Sequence, residues 1–220
     1  MNIILRNEMI KDHYEVENLI REAFWNYYTP ACADHYLVHI MRECETFIPS
    51  LDIVAVDTDA NDKIVGSSMC VKSHIKGDDG CKYDIVTLGP IGVLPEYQNR
   101  GIGALLLDRS KVIAKELGYK AIVLCGDPDY YRRHEFVPAE QYLIRNSDNM
   151  FMDGLQVCQL ENETISGMSG IYIENPVYNI DEDKVKEFDT NFPTKEIISG
   201  IKMQKRFEQL AGKVRPAVLK

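Results

Sequence analysis

The chain has no cysteine pair at C-x-x-C spacing and no histidine cluster, although it carries six cysteines and five histidines in 220 residues. Structural metal sites need paired ligands of that kind, so no metal centre is expected. Cys32, Cys44, Cys70, Cys81, Cys125 and Cys158 are scattered and read as reduced thiols of a cytoplasmic protein. No run approaches the roughly 18 apolar residues of a membrane span, and the opening MNIILRNEMIKDHYE lacks the apolar stretch of a secretory signal. Neither a membrane nor an export route is expected. Basic residues are in the minority, 25 against 34 acidic ones, which gives a net charge of -9. That balance repels phosphate backbones and anionic lipid, so nucleic acid is not an expected partner and a cationic small substrate is favoured. The same charge also serves solubility alone. Internal repeats and low-complexity segments are absent.

What is present is the pattern of one main domain with an appendage. A short strand at Ile3 to Leu5 precedes a helix that the capping-box pair Asp12 and Glu15 predicts, with Val16, Leu19, Ile20, Ala23, Phe24 and Tyr27 on its buried face. Thr29-Pro30 predicts a second helix reaching about Glu45. LDIVAVDT and KIVGSSMCVKSHI, separated by the turn-forming DANDK, read as a hairpin, and YDIVTLGPIGVL reads as a third strand disrupted at Gly89-Pro90. A helix follows with Ile102, Leu105, Leu106, Ile113 and Leu117 on one face and Gly118 as its C-terminal glycine. AIVLCG is a short strand, Asp127-Pro128 opens another turn of helix, and EFVPAEQYLI, MFMDGLQVCQL and SGMSGIYIE read as closing strands. Beyond Pro176 the chain becomes polar, with weakly amphipathic helices between Ile180 and Leu210. The order predicts an α+β fold, a mixed sheet flanked by helices, over residues 1–175 and a helical extension over 176–220.

The chemically informative stretch is Gln98-Asn99-Arg100-Gly101-Ile102-Gly103-Ala104, where an extended run gives way to a helix. A helix start presents about four unpaired N–H groups and roughly half a positive charge. Glycines there let an anion approach the amides, and Arg100 adds a charge-assisted contact. The same glycines also suit close packing of a helix on a sheet. A P-loop requires Lys followed by Ser or Thr after the glycines, and a Rossmann fingerprint requires a third glycine at 106; Ala104 and Leu106 stand there instead.

The stretch LGPIGVLPEYQNRGIGALLLDRSKVIAKELGY resembles motif A of the GNAT superfamily of acyl-CoA-dependent N-acyltransferases, with Gln98, Gly101 and Gly103 in the fixed places of Q/R-x-x-G-x-G/A. CGDPDYYRRHEFVPA is similar to the next block of that superfamily, and the two together resemble a bacterial branch of uncharacterised N-acetyltransferases. The family often places Gly before the phenylalanine of that block, where this chain has Glu135 before Phe136. The resemblance covers about 1–175 in element order and implies a mostly antiparallel central sheet with a splayed strand pair. It implies acetyl-CoA as co-substrate, with the main chain of Ile91, Gly92 and Val93 on the pantetheine amides. The amides of Gln98, Asn99, Arg100, Gly101, Ile102, Gly103 and Ala104 would hold the pyrophosphate. It implies direct acetyl transfer to a primary amine, with Tyr131 as general acid and Tyr130 as its alternate, and the segment from Phe24 to His39 lining the acceptor side. Pairing of closing strands would make a homodimer.

Each residue also has a plainer reading. Either tyrosine can simply pack on the sheet, the Phe24 to His39 segment can be a helix–helix core, and Asp127 is first a helix cap, with a cofactor contact second. Glu22, Glu45, His74 and Asp84 are candidates for the base, and water is another. Cys125 reads as a small strand residue, which outweighs an acyl-cysteine route. The function class competing with catalysis is a noncatalytic acyl-CoA-binding module.

Overall fold

A computed structural model describes residues 1–161, 165 and 167–217. The elements run in chain order β1 (Ile3–Asn7), α1 (His13–Phe24), α2 (Asp34–Met41), β2 (Ile53–Asp57), β3 (Lys63–Gly77), β4 (Lys82–Val93), α3 (Ile102–Glu116), β5 (Ala121–Cys125), α4 (Pro128–Tyr131), β6 (Val137–Pro138), β7 (Ile144–Arg145), β8 (Met150–Met152), β9 (Leu155–Gln159), β10 (Gly170–Ile173), α5 (Glu182–Asp189), α6 (Lys202–Gly212) and β11 (Val214–Pro216), with 3-10 turns between several of them. The strand order of the main sheet is β1-β2-β3-β4-β5-β9-β6, with β10 paired to β3 and β7 to β10; β11 and β8 pair separately. Antiparallel ladders prevail; β10 with β7 is parallel, and so is β4 with β5, joined at two residue pairs, Val86 with Ile122 and Thr87 with Val123. This is the mixed, mostly antiparallel α+β sheet that the sequence predicts.

The chain groups into two compact units. The first takes Met1–Cys70, Gly89–Ser110 and Pro176–Lys205; the second takes Val71–Leu88, Lys111–Asn175 and the described residues from Arg206 onward. Residue 175, the expected end of the main domain, is thus one of several points where the chain passes between units, and the C-terminal extension is shared by both.

In the first unit Val16, Leu19 and Ile20 of α1 and Leu37, Val38 and Met41 of α2 are buried with β2. Two glycines set the close approach. A Cβ on Gly66 would lie 3.0 Å from Ile102 Cγ2 of α3, and one on Gly92 would lie 2.7 Å from Ile20 Cδ1 and 3.3 Å from the Ala23 Cβ of α1. Gly92→Ala is therefore expected to cost about 1 to 3 kcal/mol through overpacking. For a chain of this size that lowers Tm by roughly 2 to 12 °C, to be read in a thermal melt. An unchanged Tm would mean that α1 gives way freely. In the second unit Ile75, Ile85, Val123, Leu155, Val157 and Tyr172 form the core.

Several local expectations give way to competing contacts. Asp12 stands at the N-cap of α1, but its carboxylate does not cap the helix, being held by Arg6 Nη1 at 2.5 Å and by the Met9 N–H at 2.8 Å. α1 stops at Phe24 and α2 starts at Asp34, because Asn26, at φ 57°, closes a loop by accepting the Ala31 N–H at 2.9 Å. Leu105 on α3 and Leu117 just after it are exposed, while Leu107 and Ser110 are buried. EFVPAEQYLI breaks into β6, a 3-10 turn and β7, since Pro138 lacks an N–H and Leu143 adopts φ 56°. MFMDGLQVCQL divides into β8 and β9 at Asp153–Gly154, and β10 covers only the end of SGMSGIYIE, whose first residue lies outside the described residues.

Candidate active site

The glycine turn lies wholly in the first unit. Leu94 anchors the end of β4 through its N–H to the Val65 carbonyl (3.0 Å), and a 3-10 turn over Pro95–Tyr97 follows. The Gln98 N–H closes that turn on Pro95 O at 3.3 Å, and its side-chain Nε2 donates to Val93 O at 3.1 Å. Gln98 thus spends its amide and side chain on shaping the turn, and the Val93 carbonyl is already occupied. Asn99 (φ 59°) and Gly101 (φ 83°) both take left-handed backbone angles. The first backbone bond of α3 is Leu105 N–H to Gly101 O, 3.1 Å. Among the described residues the N–H groups of 99 to 104 have no backbone acceptor. A Cβ placed on Gly101 would meet nothing within 4 Å, so nothing crowds the turn at that residue. Six free donors at the start of a fifteen-residue helix make an anion cradle.

Cations stand beside it. The Arg100 guanidinium lies 5.3 Å from the Tyr97 ring centroid and has no ion-pair partner among the described residues, and Lys63 Nζ lies 5.5 Å from the same ring while pairing with Glu96 at 2.9 Å. Upstream on β4, Gly89 sits at φ 143° before a cis bond to Pro90, and its carbonyl accepts the Tyr178 hydroxyl at 2.8 Å. Ile91 and Val93 are half-buried and Gly92 is buried beneath α1.

The C-terminal segment 176–205 is stitched onto α1 and the loop after it. Trp25 Nε1 and Asn26 Nδ2 donate to Glu196 O at 2.8 and 2.9 Å, and Gln204 Nε2 donates to Asn26 O at 3.0 Å. Arg21, 1% exposed, grips Asp189 through Nε at 2.6 Å and Nη2 at 3.1 Å. The sequence offers no signal for this clamp, because its partners are 168 residues apart.

In the second unit Asp127 caps α4 by accepting the Asp129 N–H at 2.9 Å. It is also held by Arg206, from Nε to Oδ2 and from Nη2 to Oδ1, both at 3.1 Å, which keeps its carboxyl below the usual range. Asp127 is thus a structural clamp point, and Arg206 of the extension is a residue the sequence reading missed. Tyr131, half-buried, has its ring over Gly126: a Cβ there would come within 2.2 Å of Tyr131 Cε2. Phe136 and Tyr130 pack edge-on against it at 5.6 and 5.0 Å. Tyr130 is 38% exposed, between Arg133 and His134, and desolvation raises its pKa.

The other candidates separate clearly. Glu22 is paired with Lys195 (2.7 Å) and Asp84 with Lys82 (3.3 Å), while Glu45 is exposed in a turn after α2. Desolvation, then Lys82, lowers the pKa of His74. The Cys125 thiol is pushed up to about 11 by desolvation, and secondarily by Glu174, although the residue reaches the surface. A thiol held protonated at neutral pH is a poor nucleophile, which works against an acyl-cysteine route. Among the described residues no group of three or more His, Cys, Asp or Glu side chains is placed to hold a metal, and no helix is long and apolar enough to cross a membrane.

Comparison with known proteins gives this geometry a context. The family model described as Acetyltransferase (GNAT) family matches residues 17–139. The chain is 27% identical over 169 residues to the uncharacterised N-acetyltransferase YhbS of Escherichia coli strain K12, covering 77% of this chain and 94% of that protein. Its fold is similar to the crystal structure of Escherichia coli YhbS in complex with CoA, with a TM-score of 0.71 at 23% identity over 82% of this chain and 93% of the other. It is also similar to a GNAT acetyltransferase from Brucella melitensis in complex with acetyl-CoA, with a TM-score of 0.63 at 21% identity over 80% and 98% of the two chains. The family match spans the α1 packing face, the glycine turn, α3 and the Tyr131 block. This chain is an acyltransferase and belongs to the acetyltransferase (GNAT) family.

Proposed function

We propose that this acyltransferase moves the acetyl group of acetyl-CoA directly onto a primary amine, with Tyr131 as the general acid. The observation that carries the reading is the row of free N–H groups from Asn99 to Ala104 in front of an open, Cβ-less Gly101. These amides and Arg100 hold the pyrophosphate. The main chain of Ile91 and Gly92, and the N–H of Val93, bind the pantetheine amides. Gln98 supports the cradle from behind through its bond to Val93 O.

Acetyl-CoA supplies an activated acyl group on a thiol whose pKa is near 8.5, so the departing sulfur needs only a weak acid. Tyr131 meets that need with a ring that Gly126 and Phe136 hold in place. The acceptor wall is α1, α2 and the segment 176–205 that completes the main domain, and the acidic surface charge favours a cationic amine.

Thermal-shift titration tests the cofactor. Acetyl-CoA and CoA at about 100 times their Kd are expected to add roughly 2.7 kcal/mol, on the order of 5 to 10 °C for a chain of this size. NAD and ATP are expected to do neither. Absence of a shift with either CoA species would reduce the glycine turn to a packing device.

A further inference from the structure

We infer that Glu174 is the base that takes the proton from the acceptor amine. This rests on the acetyl-transfer reading above and assigns the group that the sequence leaves open. β10 leaves β3 at the pair Ile173 with His74, and Glu174 is the next residue. Asn175 follows and donates from Nδ2 to Lys72 O at 3.0 Å, so Glu174 sits between two anchored neighbours. Two residues earlier the Tyr172 hydroxyl meets Thr87 Oγ1 at 2.8 Å, which in turn meets Ser73 Oγ at 2.5 Å. Thr87 belongs to the last registered pair of β4 with β5, and Cys125 ends β5 two residues past its partner Val123. The Glu174 carboxylate is near enough to raise the pKa of both Cys125 and Tyr172. Glu174 therefore follows directly on the strand whose Tyr172 hydroxyl reaches the last registered pair of β4 with β5.

Charge separates Glu174 from other carboxylates of the same unit. Asp84 is paired with Lys82, Asp127 with Arg206 and Asp78 with Arg145, and a cation that neutralises a carboxylate weakens it as a base. Glu174 has no ion-pair or hydrogen-bond partner among the described residues; Cys125 and Tyr172, on which its charge acts, are uncharged at neutral pH, and His74, the register partner of the adjacent Ile173, has its pKa lowered. It is exposed, yet the surrounding chain displaces part of its hydration and raises its pKa. A carboxylate shifted toward neutrality is better matched to taking a proton.

The protons balance as follows. The neutral amine nitrogen bonds to the acetyl carbon as the carbon–sulfur bond breaks. Sulfur leaves with the Tyr131 proton, and the proton shed by nitrogen goes to Glu174. Solvent carries a proton from Glu174 back to Tyr131, and the sum is one amide and one thiol.

Amine-stimulated CoA release by wild type, E174Q and E174D, measured across pH, tests the inference. E174Q is expected to lower kcat about 100-fold with the acetyl-CoA thermal shift intact, and E174D to recover part of the loss. Toward acid pH the wild-type rate is expected to fall through protonation of both the amine and the carboxylate, and E174Q is expected to keep only the part that belongs to the amine. An E174Q rate within about three-fold of wild type, with the wild-type pH profile unchanged, overturns the role of Glu174 alone. A wild type that binds acetyl-CoA but releases CoA with no amine overturns the transfer reaction, and Glu174 with it.

Discussion

Tyr131→Phe is expected to reduce the rate of amine-dependent CoA release by roughly 10²- to 10³-fold while leaving the acetyl-CoA thermal shift within about 1 °C of wild type. The substitution removes one oxygen and keeps the ring. The edge-on contacts with Phe136 and Tyr130 and the seat over Gly126 are ring contacts that phenylalanine keeps, so the loss is expected on kcat. Gly126→Ala makes the complementary change: its Cβ would sit 2.2 Å from Tyr131 Cε2 and push the ring aside with its hydroxyl intact. Both variants should lose rate if the position of the hydroxyl matters. A Tyr131→Phe enzyme with wild-type turnover would remove Tyr131 from the reaction and shift attention to Tyr130. If no amine releases CoA even from wild type while the shift persists, the chain is a noncatalytic acyl-CoA-binding module.

Asp189→Ala is expected to be the most damaging single change to stability. It strips the only carboxylate paired with Arg21 among the described residues, and Arg21 is 1% exposed. The guanidinium would be left between the Trp25 ring at 4.2 Å and the Phe192 ring at 5.5 Å, with cation–π contacts that do not replace a bidentate carboxylate. Breaking one side of such a pair costs about 3 to 5 kcal/mol, which lowers Tm by roughly 6 to 20 °C. Replacing both residues by apolar ones, Arg21→Met with Asp189→Leu, should cost much less, since no buried charge then lacks a partner. Melts of the single and double variants decide it: an Asp189→Ala Tm within about 2 °C of wild type would show that Arg21 finds water instead.

Backbone chemistry was the most legible part of the sequence. A glycine at φ 83° and a proline without an N–H mean the same thing wherever they occur, so the glycine turn and the Asp127 cap could be placed from letters alone, although the Gln98 N–H turns back on Pro95. The helix-versus-strand pattern was legible to the same degree. What was missed depended on a distant partner. Asp12 reads as a helix cap until Arg6 is seen to hold it, and the β11–β8 pairing joins residues more than 60 positions apart. Arg206 reads as a surface cation on a weak helix until Asp127 and Asp129 are beside it. Glu174 is one letter after a strand; what marks it is the lack of a cation nearby, which only the assembled fold reveals.

The Arg21–Asp189 clamp also sets an order in time. At about 5 to 20 residues per second, the ribosome needs on the order of ten seconds or more to add the 168 positions between the two partners. Throughout that interval the nascent α1 carries a cation destined for burial whose counter-ion has not yet been made. The first unit therefore cannot close behind the ribosome as its early residues emerge, and its final packing waits until Asp189 has been made.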